Sequence, residues 1–134
     1  MTAVIPAMRY EDAPAAIRWL CSVFGFEEHF VVPGPDDTIA HAQLTFRSGM
    51  VMLGSAYRDE EYGPHIKTAR ATGHVTHVIY VVVEDIDAHY ARSREGGAEI
   101  SRPLADTEYG SREYEAIDLE GYRWSFGTYD PLAS

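Results

Sequence analysis

The chain has 134 residues, 46% hydrophobic and 12% aromatic, which is enough for one well-buried core and too little for two ordinary domains. With 11 Lys and Arg against 21 Asp and Glu it carries a formal charge of −10, a field that repels nucleic-acid phosphates and anionic lipid and steers cations inward. The lone Cys21 closes no internal disulfide, no apolar run approaches the roughly 20 residues of a bilayer span, and Met1 to Pro6 lacks the basic and long apolar regions of a secretion signal. These features predict a cytoplasmic protein with neither nucleic acid nor membrane as partner.

In chain order, Val4 to Arg9 reads as extended. Asp12 then stands as a helix N-cap with Pro14 in the first turn, where a missing N–H does no harm. Ile17, Leu20, Cys21 and Phe24 recur at i, i+3, i+4 and i+7, the spacing of one apolar helical face, and Gly25 ends the helix. Phe26 to Val32, Ile39 to Phe46 and Met50 to Ala56 follow as strands, separated by Pro33-Gly34-Pro35-Asp36-Asp37 and Arg47-Ser48-Gly49, both good turn chemistry. The polar segment 57–73, with Gly63-Pro64, reads as a linker. Beyond it come a strand from Val75 to Val83, a helix over about Asp87 to Glu95, a Gly96-Gly97 stop, and strands over Glu99 to Pro103, Arg112 to Asp118 and Tyr122 to Tyr129.

That order is a repeat, β-α-β-β-β taken twice. Asp12 aligns with Asp85 at an offset of 73, whereas Gly25 with Gly97 and Gly49 with Gly121 align at 72. Module 1 then occupies about 1–56, the linker 57–73 and module 2 about 74–130 of a single α+β domain. A four-stranded sheet with one helix leaves its second face open. Two such sheets are therefore expected to curve around a cavity, paired within the chain or swapped between the chains of a homodimer.

Ala13-Pro14-Ala15-Ala16-Ile17, Gly25-Phe26, His41-Ala42-Gln43-Leu44 and, above all, Tyr109-Gly110-Ser111-Arg112-Glu113-Tyr114 running on to Asp118-Leu119-Glu120-Gly121-Tyr122-Arg123-Trp124-Ser125-Phe126 carry a resemblance to a known family. Over essentially its whole length the chain resembles the vicinal oxygen chelate superfamily, which includes glyoxalase I, the bleomycin-resistance proteins, fosfomycin-resistance enzymes and extradiol dioxygenases. The resemblance implies two functional branches. In the enzymes, a divalent ion is held by His or Gln from the first strand of each module and by Glu from the last. In the bleomycin-resistance branch, a large cationic drug is sequestered without metal or chemistry in grooves between two subunits.

On that pattern His77 takes the first-strand position of module 2 and Ser125 the last-strand position, where the metalloenzymes have Glu. The repeat assigns Val4 and Leu53 to the matching places in module 1, and neither has a ligand atom. One nitrogen in four positions predicts no metal and no cofactor. The candidate cavity set is His41, His77, Arg112, Tyr114 and Ser125. Either histidine can be a general base or simply a hydrogen-bonded barrel residue. Arg112 can pair a ligand carboxylate or an internal one, Asp118 or Glu113. The reading is a metal-independent binder of a cationic or aromatic small molecule. The alternative is a divalent-metal-dependent lyase, isomerase or dioxygenase of the glyoxalase type.

Overall fold

The computed structural model describes residues 3–56 and 65–133. The chain divides into two compact units, Met1–His74 and Val75–Ser134. The first holds β1 (Ala7–Tyr10), α1 (Ala13–Trp19), a π-helical turn (Leu20–Phe24), β2 (Glu27–Pro33), β3 (Ile39–Phe46), β4 (Gly49–Ser55) and a short α2 (Ala69–Thr72). The second holds β5 (Ile79–Val82), α3 (Ile86–Glu95), β6 (Glu99–Asp106), β7 (Arg112–Ile117) and β8 (Arg123–Gly127). Each unit is one four-stranded mixed sheet, ordered β1-β4-β3-β2 and β5-β8-β7-β6, with β1/β4 and β5/β8 parallel and the other pairs antiparallel. The two β-α-β-β-β modules expected from the repeat are therefore present. Among the described residues no helix is long and apolar enough to cross a membrane.

The caps carry the repeat into structure. Asp12 accepts the Ala15 N–H at 3.1 Å and Asp85 the Ala88 N–H at 3.2 Å, each satisfying a donor that the first helical turn cannot. Gly25 and Gly97 are both left-handed, with φ of 84° and 89°, a conformation that a side chain would strain. The first helix does not stay α-helical to its end, as the apolar spacing predicts. Its last five residues widen to a π turn, which turns Val23 into the core beside Leu20 and Phe24 and leaves Cys21 half-buried.

Four strands also differ from expectation. β1 begins at Ala7 rather than Val4, so Val4 falls outside it and is exposed. β5 begins at Ile79 rather than Val75, so His77 falls outside it. β6 runs on past Pro103 to Asp106 because it is an edge strand, where a residue without an N–H is absorbed by the register irregularity between Arg102 and Ala105. β8 spans only Arg123–Gly127. Within the expected linker, Thr68 caps α2 by accepting from the Ala71 N–H. Gly63-Pro64 lies outside the described residues.

In the second unit the helix-facing side of the sheet is an aromatic seam. Tyr114, Trp124 and Phe126 are fully buried there, with Tyr114 and Phe126 stacked at 5.0 Å and the His89 ring 4.5 Å from Phe126. His89, which helical position alone suggests is a surface residue, is buried because it faces this seam. Its Nδ1 lies 2.6 Å from the Tyr114 hydroxyl, which is also 2.6 Å from Ser93 Oγ. Asp118 closes the β7–β8 turn by accepting from the Glu120 and Tyr122 N–H groups and from the Trp124 indole.

Candidate functional site

Strand alternation sorts the second sheet into two faces. Arg112, Tyr114 and Ala116 turn toward α3, and Glu113 and Glu115 turn to the open face. The pairings Tyr80↔Ser125 and Glu115↔Ser125 bring β5, β7 and β8 together on that open side. There an open hollow of about 550 Å³ is lined by Val78, Tyr80, Arg102, Tyr109, Glu113, Glu115, Ser125, Tyr129 and Pro131. Among the described residues eight large apolar side chains are exposed, and four of them, Val78, Tyr80, Tyr109 and Tyr129, gather at this hollow. Such gathering on one concavity marks a binding surface rather than scattered surface apolarity.

The two carboxylates have different surroundings. Glu115 Oε1 accepts from Arg123 at 2.6 and 3.1 Å and from Ser101 at 3.1 Å. Burial alone would raise its pKa, but those hydrogen bonds and the Arg123 charge outweigh burial and hold it below the usual carboxylate range. Glu113 is only 9% exposed and has no cation within ion-pair distance among the described residues. Its Oε1 accepts from the Tyr109 hydroxyl at 2.8 Å. Its Oε2 is 3.5 Å from the Tyr80 hydroxyl, whose single proton is directed to the Tyr129 carbonyl at 2.7 Å. Tyr80 is pushed above the ordinary phenol range chiefly by burial, and Tyr109 chiefly by its hydrogen bond to Glu113. Gly127 makes the arrangement possible, because a Cβ there would stand 2.6 Å from both Glu113 Cγ and the Tyr80 hydroxyl.

The five expected cavity residues do not form one group. Ser125 lines the hollow. His41 lies in β3 of the first unit, where Gln43 Nε2 is 3.0 Å from its Nε2. His77 is exposed ahead of β5, with Nδ1 3.4 Å from Thr76 Oγ1. Arg112 and Tyr114 are corrections, since their strand parity turns them to the helix side, away from the hollow. Arg112 pairs with Asp87 and Asp106, each at 3.1 Å, rather than with Asp118, Glu113 or a cavity ligand. Tyr114 is core. Sequence reasoning missed Glu113, Tyr80, Tyr109 and Tyr129 as a set. Alternation carried from Ser125 across the β8–β7 ladder points to Glu113 and Glu115.

Metal donors do not fit this frame. Among the described residues no three of His, Cys, Asp and Glu come together; beside Tyr80 of β5 and Ser125 of β8 the hollow offers two carboxylates, Glu113, which accepts from Tyr109, and Glu115, which is engaged by Arg123. In the first unit the last-strand counterpart also shifts. Tyr10 and Val83 precede the two helix caps at an offset of 73; the same offset takes Ala7 to Tyr80, and their partners are Met52 and Ser125. The counterpart of Ser125 is thus Met52, on the face opposite the buried Leu53. Neither residue supplies a strong ligand for a divalent ion, since the serine hydroxyl is neutral and the methionine thioether is soft.

Residues 4–126 match the sequence profile of the Glyoxalase/Bleomycin resistance protein/Dioxygenase superfamily. A Mycobacterium bovis protein described as uncharacterized is 31% identical over 125 residues, which cover 93% of this chain and 82% of that one. The crystal structure of TioX from Micromonospora sp. ML1 is similar with a TM-score of 0.75 and 35% identity, over 95% of this chain and 98% of that one. The fosfomycin resistance protein FosX from Mesorhizobium loti shares the fold, with a TM-score of 0.67 at 15% identity over 97% of this chain and 93% of that one.

Proposed function

Because the chain belongs to the Glyoxalase/Bleomycin resistance protein/Dioxygenase superfamily, whose members divide between metal-centred chemistry and plain binding, we propose that it is a metal-independent small-molecule binding protein of the bleomycin-resistance type. The observation that supports this is the hollow on the second sheet, which exposed Tyr80, Tyr109 and Tyr129 line together with Glu113 and Ser125, with no group of three metal donors among the described residues. Rings presented edge and face, as Tyr109 and Tyr129 are at 6.1 Å and 79°, suit a flat aromatic ligand. The proposal includes a homodimer and a cytoplasmic setting, the first to be checked by light scattering on the eluting protein.

The test is an amide-resolved NMR titration of the full chain with benzamide, a neutral aromatic probe, before and after dialysis against a chelator. The expected result is saturable shifts at Tyr80, Ser125 and Tyr129, unchanged by chelation. Shifts absent from that face, or dependent on a divalent ion, would overturn the reading.

A further inference from the structure

We propose that Glu113 is the specificity-determining residue of this hollow and that it selects a ligand bearing a protonated amine, amidinium or guanidinium group. The inference rests on the binding role proposed above and names the chemical class that the hollow accepts.

Two carboxylates stand two residues apart on the open face of β7, and only one of them has a counter-ion. Glu115 is neutralised by Arg123 at 2.6 Å. Glu113 is nine-tenths buried and has no cation within ion-pair distance among the described residues: Oε1 accepts from the Tyr109 hydroxyl at 2.8 Å, and Oε2 has the Tyr80 hydroxyl at 3.5 Å, a long contact whose proton also serves the Tyr129 carbonyl at 2.7 Å. A carboxylate oxygen taken out of water calls for a donor, and a charged N–H is the strongest available. Neutral tyrosines frame it, so a cation seated at Oε2 meets ring faces as well as the carboxylate. Arg102 is the one lining residue that opposes this. It is exposed, has no hydrogen bond or ion pair to Glu113 among the described residues, and its charge is screened by water. Gly127 is the second support: the strand carries no side chain at the one place where a Cβ would displace Glu113 and Tyr80 together.

The experiment compares three probes of one shape, benzamidinium, benzamide and benzoate, by NMR titration of the full chain at pH 7. Wild type, Glu113→Gln, Glu113→Asp and Glu115→Gln are used, each shown to be folded by its thermal transition. The expected result is benzamidinium binding about tenfold or more tighter than benzamide to wild type, with benzoate weakest. That ratio should collapse toward one in Glu113→Gln. Glu113→Asp should hold part of the preference and Glu115→Gln nearly all of it. Equal affinity for benzamide and benzamidinium, a preference that survives Glu113→Gln, or a preference for benzoate would overturn the assignment while leaving the hollow a binding site. If none of the three probes binds, the binding role falls and the assignment with it.

Discussion

The Tyr114 hydroxyl touches two buried polar atoms at once, His89 Nδ1 and Ser93 Oγ, each at 2.6 Å, and Ser93 has no solvent exposure with which to recover a lost partner. Removing that oxygen leaves buried polar groups short of a partner, which costs about 1–3 kcal/mol. Tyr114→Phe is therefore expected to lower the unfolding free energy read from urea titration by that amount while leaving benzamide titration at the hollow unchanged, since the residue faces α3. Glu115 gives the complementary acid-side prediction. Its folded pKa lies below the ordinary carboxylate range because the Arg123 and Ser101 hydrogen bonds outweigh burial, so the unfolded chain binds its proton first as pH falls. The stability it contributes is present above the ordinary range and is lost as pH drops through the lower folded value. Melting temperature followed from pH 7 into the acid range should fall more steeply in wild type than in Glu115→Gln. Parallel curves would show that the Arg123 pair contributes nothing.

At the scale of elements, the features legible in the sequence were those fixed by a single residue's chemistry. Asp12 and Asp85 announce helix starts, and Gly25 and Gly97 announce left-handed stops, so both modules could be read in order. The third anchor misled, because Gly49 is the first residue of β4 after a two-residue turn, whereas Gly121, at φ 100°, sits inside the longer turn over 118–122 that Asp118 ties together. One residue of slip in a strand exchanges its faces, and that slip assigned Leu53 rather than Met52 as the counterpart of Ser125. The same parity argument, not carried from β8 to β7, left Arg112 and Tyr114 in the cavity set in place of Glu113. His89 was unreadable for a different reason: burial of a helix position depends on which aromatics the sheet presents beneath it. Gly127→Ala tests the strand-level account. Its Cβ would press on Glu113 Cγ and the Tyr80 hydroxyl, and overpacking of this kind costs typically 1–3 kcal/mol. The variant should unfold at lower urea and lose benzamide binding, and intact binding would show that Glu113 and Tyr80 move aside freely.

For the whole molecule the deciding question is whether an ion belongs to the native state. The net charge of −10 attracts divalent cations weakly to any acidic surface, so bound metal alone is no test; stoichiometry and stabilisation together are. An ion that binds only the folded chain at a hundred times its Kd adds about 2.7 kcal/mol by mass action. In a chain of this length each kcal/mol raises the melting temperature by roughly 2–8 °C. A true site filled by Zn²⁺, Ni²⁺, Mn²⁺ or Fe²⁺ would therefore lift the transition by several degrees at least. The donor set predicts otherwise, because the open-face positions of β8 and β4 that correspond across the repeat are Ser125 and Met52, and no three of His, Cys, Asp and Glu converge among the described residues. Protein purified without chelator should carry well below one ion per chain by elemental analysis, and none of the four ions should move the transition further than Mg²⁺ does at equal ionic strength. One ion per chain together with a shift of several degrees would reverse the reading and send the protein to lyase, isomerase and dioxygenase assays.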